Sequence, residues 1–174
     1  MRHITLVIMA MLLYVGACAQ QTYDTDFTQI KTMKASGKTT NKAGHIVFDG
    51  NDQLNMTYTD PEGDYFIIDG NMVKINMDGK KADLDAEKVK MVKLQRSTLI
   101  NCLSGNWEQA AEDNGAELTV TEQDGFRNVL IKAKGKVPRG GYSSVELIYR
   151  LSDGVMTKMI LDEAIGIQNT YEME

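Results

Sequence analysis

The chain is short of the residues that most enzyme chemistry needs. It has 174 residues and two histidines, and His3 lies in an N-terminal apolar leader, so His45 is the single histidine of the body. It has two cysteines, Cys18 and Cys102. One His and one Cys do not supply a catalytic triad or a histidine metal cluster. There is no Walker loop, no G-x-G-x-x-G after a strand and no H-E-x-x-H. Asp60, Glu62 and Asp64 come nearest to a cation loop, but with Pro61 among them they read as a solvated turn. No catalytic residue, metal ligand or cofactor is expected, and the chain does not read as an enzyme. Positive charge is scarce as well. The formal net charge is -5 and the sequence pI about 5.1, which argues against a nucleic-acid partner. Aromatics make up only 7% of residues, whereas methionine occurs 11 times. Methionine adapts its shape to irregular apolar partners, in a core or around a ligand.

The first 19 residues read as a signal peptide. Arg2 and His3 form a basic start, and Ile4 to Val15 an apolar run too short for a comfortable membrane span. Two cleavages fit. Ala17-Cys18-Ala19 is an A-x-A site before Gln20, while Val15-Gly16-Ala17-Cys18 resembles a bacterial lipobox that makes Cys18 a candidate lipidation site. The complete A-x-A and the polar Gln20-Gln21 favour the soluble product. Either way the body, residues 20–174, keeps Cys102 alone, so no disulfide is expected, and Cys102 reads as a buried helix thiol.

The body is organised around Gly44 to Asn71, three short strands punctuated by Asp49-Gly50-Asn51-Asp52, Asp60-Pro61-Glu62-Gly63 and Asp69-Gly70-Asn71. In the middle strand Leu54, Met56 and Tyr58 point to one face, and Asn55, Thr57 and Thr59 to the other. Phe27 to Met33 reads as a strand, with Phe27, Gln29 and Lys31 on one side. Before it, Gln20 to Asp26 reads as a mobile polar lead; after it, Ser36 to Ala43 as a turn-rich connection. The basic series Lys31, Lys34, Lys38 and Lys42 reads as a lysine-protected edge strand and loop, with a lipid-headgroup or partner contact as the lesser alternative. Met72 to Met77 adds a strand, and Lys80 to Asp85 is merely polar. Ala86 to Leu103 predicts an amphipathic helix through Val89, Val92, Leu99, Ile100 and Leu103, capped by Asp83 or Asp85 and ended by Ser104-Gly105. A short helix around Trp107 follows. Strands return at Glu117–Thr121, Asn128–Lys134, Ser144–Leu151, Val155–Asp162 and Gly166–Met173.

These readings give a mainly β (α+β) fold: a curled antiparallel sheet of about nine strands with one main helix. Periodicity alone leaves open whether that helix plugs the core or covers a cavity as a lid.

The ordered set of segments resembles the periplasmic outer-membrane lipoprotein carriers, the LolA-like family. Phe27-Thr28-Gln29-Ile30-Lys31 resembles that family's F-x-Q-x-K strand, and Leu54 to Pro61 its L-x-W-x-Y-x-x-P segment. Phe66 to Asn71 resembles its strand ending in D/N-G, and Leu103-Ser104-Gly105-Asn106 its L-x-G-D/N close. Ile160 to Gly166 with Thr170-Tyr171 resembles its final strand pair. Two positions depart: Gly50-Asn51 stands where many members carry Arg-Pro, the arginine being tied to lid closure, and Met56 stands at the Trp position. The resemblance implies a half-open β-barrel of about 9–11 strands with one or two helices over its mouth. It implies a monomeric periplasmic carrier that binds acylated lipoproteins or similar lipids for transfer to the outer membrane. The implied partners are an inner-membrane lipoprotein-releasing complex and an outer-membrane acceptor. On that reading the acyl-chain residues are Leu54, Met56, Tyr58, Val92, Leu99 and Leu103. Two alternatives stand beside it: a lipid-anchored outer-membrane acceptor on the same fold, and a structural envelope protein with a filled core.

Overall fold

The structure, a computed structural model, describes residues 21–174; the leader, both cleavage sites and Cys18 lie outside the described residues, as does the boundary between leader and body. The elements follow the order β1 (Tyr23–Met33), β2 (Lys38–Phe48), β3 (Gln53–Asp60), β4 (Glu62–Asp69), β5 (Met72–Met77), β6 (Lys80–Asp85), α1 (Lys90–Leu103), α2 (Trp107–Asp113), β7 (Ala116–Gln123), β8 (Phe126–Ala133), β9 (Tyr142–Arg150), β10 (Met156–Glu163) and β11 (Ile167–Met173). The eleven strands form one antiparallel sheet in the order β6-β5-β4-β3-β2-β1-β11-β10-β9-β8-β7. The chain meanders outward from β1 to β6, crosses by the two helices to the opposite edge, and meanders back until β11 pairs with β1. The sheet curls but does not close, so β6 and β7 are its edges and the helices join them.

One face of the sheet is buried. Along β3 the alternation leaves Leu54, Met56 and Tyr58 inside at 1–4% exposure, with Asn55, Thr57 and Thr59 outside. The same period-2 pattern places Phe27, Val145, Leu147 and Tyr171 on that face. From α1, Val92, Leu99, Cys102 and Leu103 pack against it. Gly44 marks a close approach. A Cβ there lands 2.7 Å from the Phe27 ring and closer still to the Thr57 carbonyl. The bare backbone lets Phe27 settle edge-on to Tyr58, ring centroids 5.4 Å apart.

Several expectations need correction. Tyr23 to Asp26 is not a mobile lead but the start of β1: Tyr23 pairs with Phe48 and stacks on its ring at 6.1 Å. Ser36 to Ala43 is not a long loop, since β2 begins at Lys38. Lys80 to Asp85 is a strand, and its charged residues suit an edge. By contrast β1 and β2 lie in the middle of the sheet, so the lysines there do not guard an edge. α1 starts at Lys90 rather than Ala86. Neither Asp83 nor Asp85 caps it; the N-cap is Val89, without a side-chain hydrogen bond. The Asp85 carboxylate instead accepts the Glu87 N–H at 3.0 Å, holding a turn ahead of the helix. Ala86 is buried with its N–H donated to Asn71 O.

Candidate functional site

A cavity of about 230 Å³ lies between the buried face of the sheet and α1. Strand register gives it a gradient. At one end Leu54 and Met56 of β3, Val73 of β5 and Leu84 of β6 face Val92 and Leu99 of α1. At the other, Gln29 and Lys31 of β1, Lys42 of β2 and Tyr58 of β3 meet Glu163, Asn169 and Tyr171 of the last strands. Met77 and Met159 also reach the wall, so the soft thioethers inferred from composition are placed where an irregular chain would touch them.

The structure brings five of the six residues named from the sequence to this wall: Leu54, Met56, Tyr58, Val92 and Leu99. Leu103 is not among them. One turn past Leu99, it is fully buried in the core. The expected alternation was sound, and so was the helix face apart from Val89, which stands exposed at the N-cap; the depth at which a cavity stops and solid packing begins is not written in periodicity.

The polar end is internally paired. Lys42 and Asp64, each at 7% side-chain exposure, lie 2.6 Å apart, and Asp78 approaches Lys42 at 3.1 Å. Asp64 is therefore not part of a solvated turn, although Asp60 and Glu62 are exposed. The hydrogen bond from Lys42 holds the Asp64 carboxyl below the usual range against the opposing effect of burial. On Lys42 burial favours the neutral amine, but its bonds to Asp64 and Asp78 together hold its pKa above the ordinary value. Burial pushes Glu163 up, opposed by the hydrogen bond from Asn169 and by Lys31. Burial likewise pushes the Tyr58 phenol up to about 12.

Nothing at the cavity resembles an activated nucleophile. The Cys102 thiol is buried and pushed up to about 12 by desolvation. His45 sits within β2, outside the cavity wall, where Nδ1 meets Asp26 at 2.7 Å and Nε2 meets Asp24 at 3.0 Å. Among the described residues no cluster of three metal-ligating groups occurs, and no helix is long and apolar enough to cross a membrane.

Two side chains that sequence reasoning missed hold the helical cover. Arg96 Nε donates to the Gly70 carbonyl in the β4–β5 turn, and Gln95 Nε2 donates to the Gly140 carbonyl in the β8–β9 loop. Adjacent residues of α1 thus reach opposite halves of the sheet. The only sequence signal was the break that Arg96 makes in the apolar face of the helix. α2 is stitched to α1 by Ser97 Oγ donating to Asp113 at 2.7 Å and Asn114 Nδ2 donating to Thr98 Oγ1 at 2.8 Å.

A curled half-barrel with a helical cover over a largely apolar cavity defines a binding scaffold. The chain belongs to the LolA family: it matches the family described as outer membrane lipoprotein carrier protein LolA over residues 19–174. Among solved structures it is similar to a LolA superfamily protein from Nitrosomonas europaea, at 10% identity and TM-score 0.42, covering 90% of this chain and 85% of that one. It is also similar to the lipoprotein LppX of Mycobacterium tuberculosis, at 9% identity and TM-score 0.38, covering 90% and 87%. A third is a chain of the MucA/MucB complex of Pseudomonas aeruginosa, at 13% identity and TM-score 0.42, covering 90% and 51%. No curated protein matches the chain.

Proposed function

We propose that this protein is an exported carrier that shelters the acyl chains of lipoproteins, or of similar lipids, in the cavity beneath α1. The observation that carries the reading is that cavity, apolar at the Leu54–Val92–Leu99 end and walled by flexible methionines. A carrier must hide aliphatic carbon from water, and each buried CH₂ is worth about 0.8 kcal/mol. Ten methylenes supply about 8 kcal/mol, the scale of micromolar binding before ordering costs are subtracted. The volume of about 230 Å³ is below the roughly 300–1,000 Å³ of established small-molecule sites, so a whole acyl chain enters only if α1 lifts.

On this reading residues 1–19 are the leader, residues 20–174 the carrier domain, and the periplasm its compartment. Leu54, Met56, Tyr58, Val92 and Leu99 touch the chain, and Leu103 anchors the cover from the core. Delivery from an inner-membrane releasing complex and passage to an outer-membrane acceptor complete the proposal. The anchored alternative requires a lipid on Cys18, and the mass of the mature N-terminus separates the two: a free or cyclised Gln20 is expected.

The test is native mass spectrometry of protein purified from its own cell envelope, paired with uptake of a fluorescent fatty acyl probe. Co-purifying lipid or lipoprotein and saturable uptake are the expected result. Reproducible absence of both would leave the filled-core structural reading in its place.

A further inference from the structure

Gln29 lies at the centre of the sheet, 5% exposed, and lines the cavity. Its Nε2 donates to Asn169 Oδ1 at 2.9 Å and to the Tyr171 hydroxyl at 3.1 Å. Asn169 Nδ2 in turn donates to Glu163 Oε1 at 2.8 Å. The Asn169 amide thus turns its nitrogen to the Glu163 carboxyl. Asn169 then presents its oxygen to Gln29, and Gln29 must present its nitrogen in reply. The Gln29 oxygen is left over. It is buried and meets no hydrogen-bond partner. The Tyr58 hydroxyl, 4% exposed on the same wall, lies beside the Tyr171 hydroxyl without completing a full hydrogen bond.

Of the two cations at this end, Lys42 is held by Asp64 and Asp78, whereas Lys31 makes no ion pair among the described residues and only acts on Glu163 through space. What the cavity offers a ligand there is the Gln29 acceptor oxygen and the Tyr58 phenol, with the Lys31 ammonium beside them. A buried acceptor without a donor is costly, and a ligand that supplies the donor removes that cost.

From this arrangement we infer that the cavity has a head-group subsite at Gln29 and Tyr58 that selects amphiphiles bearing a hydrogen-bond donor, a hydroxyl or an amide N–H, next to the acyl chain. The inference rests on the carrier reading above and adds the ligand's polar chemistry to it. The donor bonds Gln29 Oε1, the Tyr58 hydroxyl turns toward the ligand's own oxygen, and the chain runs toward Leu54 and Leu99.

Binding of two matched pairs to the mature protein tests it. One pair is N-methylmyristamide against N,N-dimethylmyristamide; the other is 1-monomyristoylglycerol against its di-O-methyl ether. In each pair only the first carries a donor. The donor-bearing member is expected to bind about tenfold tighter in at least one pair, and which pair responds tells amide from hydroxyl. In Gln29→Met, which keeps the length but not the acceptor, the gap is expected to narrow to less than about twofold. Equal affinities within both pairs in the wild-type protein, with binding otherwise firm, would overturn the subsite and leave the carrier reading standing. A tenfold gap that persists in both Gln29→Met and Tyr58→Phe would overturn the assignment to these residues. Failure of all four ligands to bind would remove the carrier reading and the subsite together.

Discussion

The ion pair between Lys42 and Asp64 is buried by two strands that are not neighbours, β2 and β4, with β3 between them. Charges removed from water in this way are stable only together. Asp64→Asn leaves Lys42 with the exposed Asp78 as its remaining partner, and is expected to cost about 2 kcal/mol in urea denaturation at neutral pH, below the ~3–5 kcal/mol of a wholly uncompensated charge. The pH dependence follows from the direction of the shift. Asp64 holds its proton less readily folded than unfolded, so its contribution is complete above its ordinary value of 3.8. It is lost as pH falls through the lower, folded-state value. Asp162 is shifted the same way, so the diagnostic quantity is a difference. The gap between wild type and Asp64→Asn is expected to close below pH 3.8, and a gap that stays constant in acid would refute the pairing.

At the scale of elements, α1 packs on the sheet through Val92, Leu99, Cys102 and Leu103, and two polar contacts tie it to the turns on either side. Arg96 holds the β4–β5 turn and Gln95 the β8–β9 loop. A charge-assisted hydrogen bond of this kind is worth about 1.5–3 kcal/mol. In the proposed carrier, Arg96→Ala is expected to speed exchange of a fluorescent acyl probe by about tenfold while leaving the far-UV circular dichroism unchanged. Stopped-flow displacement reads the first, and an unaltered exchange rate would show that α1 is not the gate. The existence and order of most elements were legible in the sequence, because period-2 alternation with Asp-Gly turns is a local signal. Lys80 to Asp85 was not, since an edge strand needs little apolar alternation and only Leu84 hints at it. The start of α1 was misplaced because Ala86 belongs by propensity to a helix, but the turn held by Asp85 takes it into the core. The cavity wall was legible at Leu54, Met56 and Tyr58 through alternation. Arg96 and Gln29 on that wall, and Asp64 as the buried partner of Lys42, were not, because their partners lie 26, 140 and 22 residues away along the chain.

The whole molecule is a single sheet of eleven strands whose two halves meet at β1 and β11, with the crossover between its edges made by α1 and α2. Closing the sheet into a barrel would fill its interior or leave a sealed channel. Leaving it open, with helices over the gap, gives a largely apolar space with a helix for one wall. Gly50-Asn51 stands where the resemblance places an arginine, so the release mechanism implied by that residue does not carry over to this chain. The central claim is that an acyl chain occupies the space between β3 and α1. Photo-crosslinking with an N-methyl acylamide carrying a diazirine at mid-chain, followed by peptide mapping, tests it most directly. Saturable labelling of the peptides holding Met56 and Val92 or Leu99 is the predicted result. Labelling confined to the outward-facing Val47 and Ile67, or labelling not displaced by unlabelled amide, would contradict it.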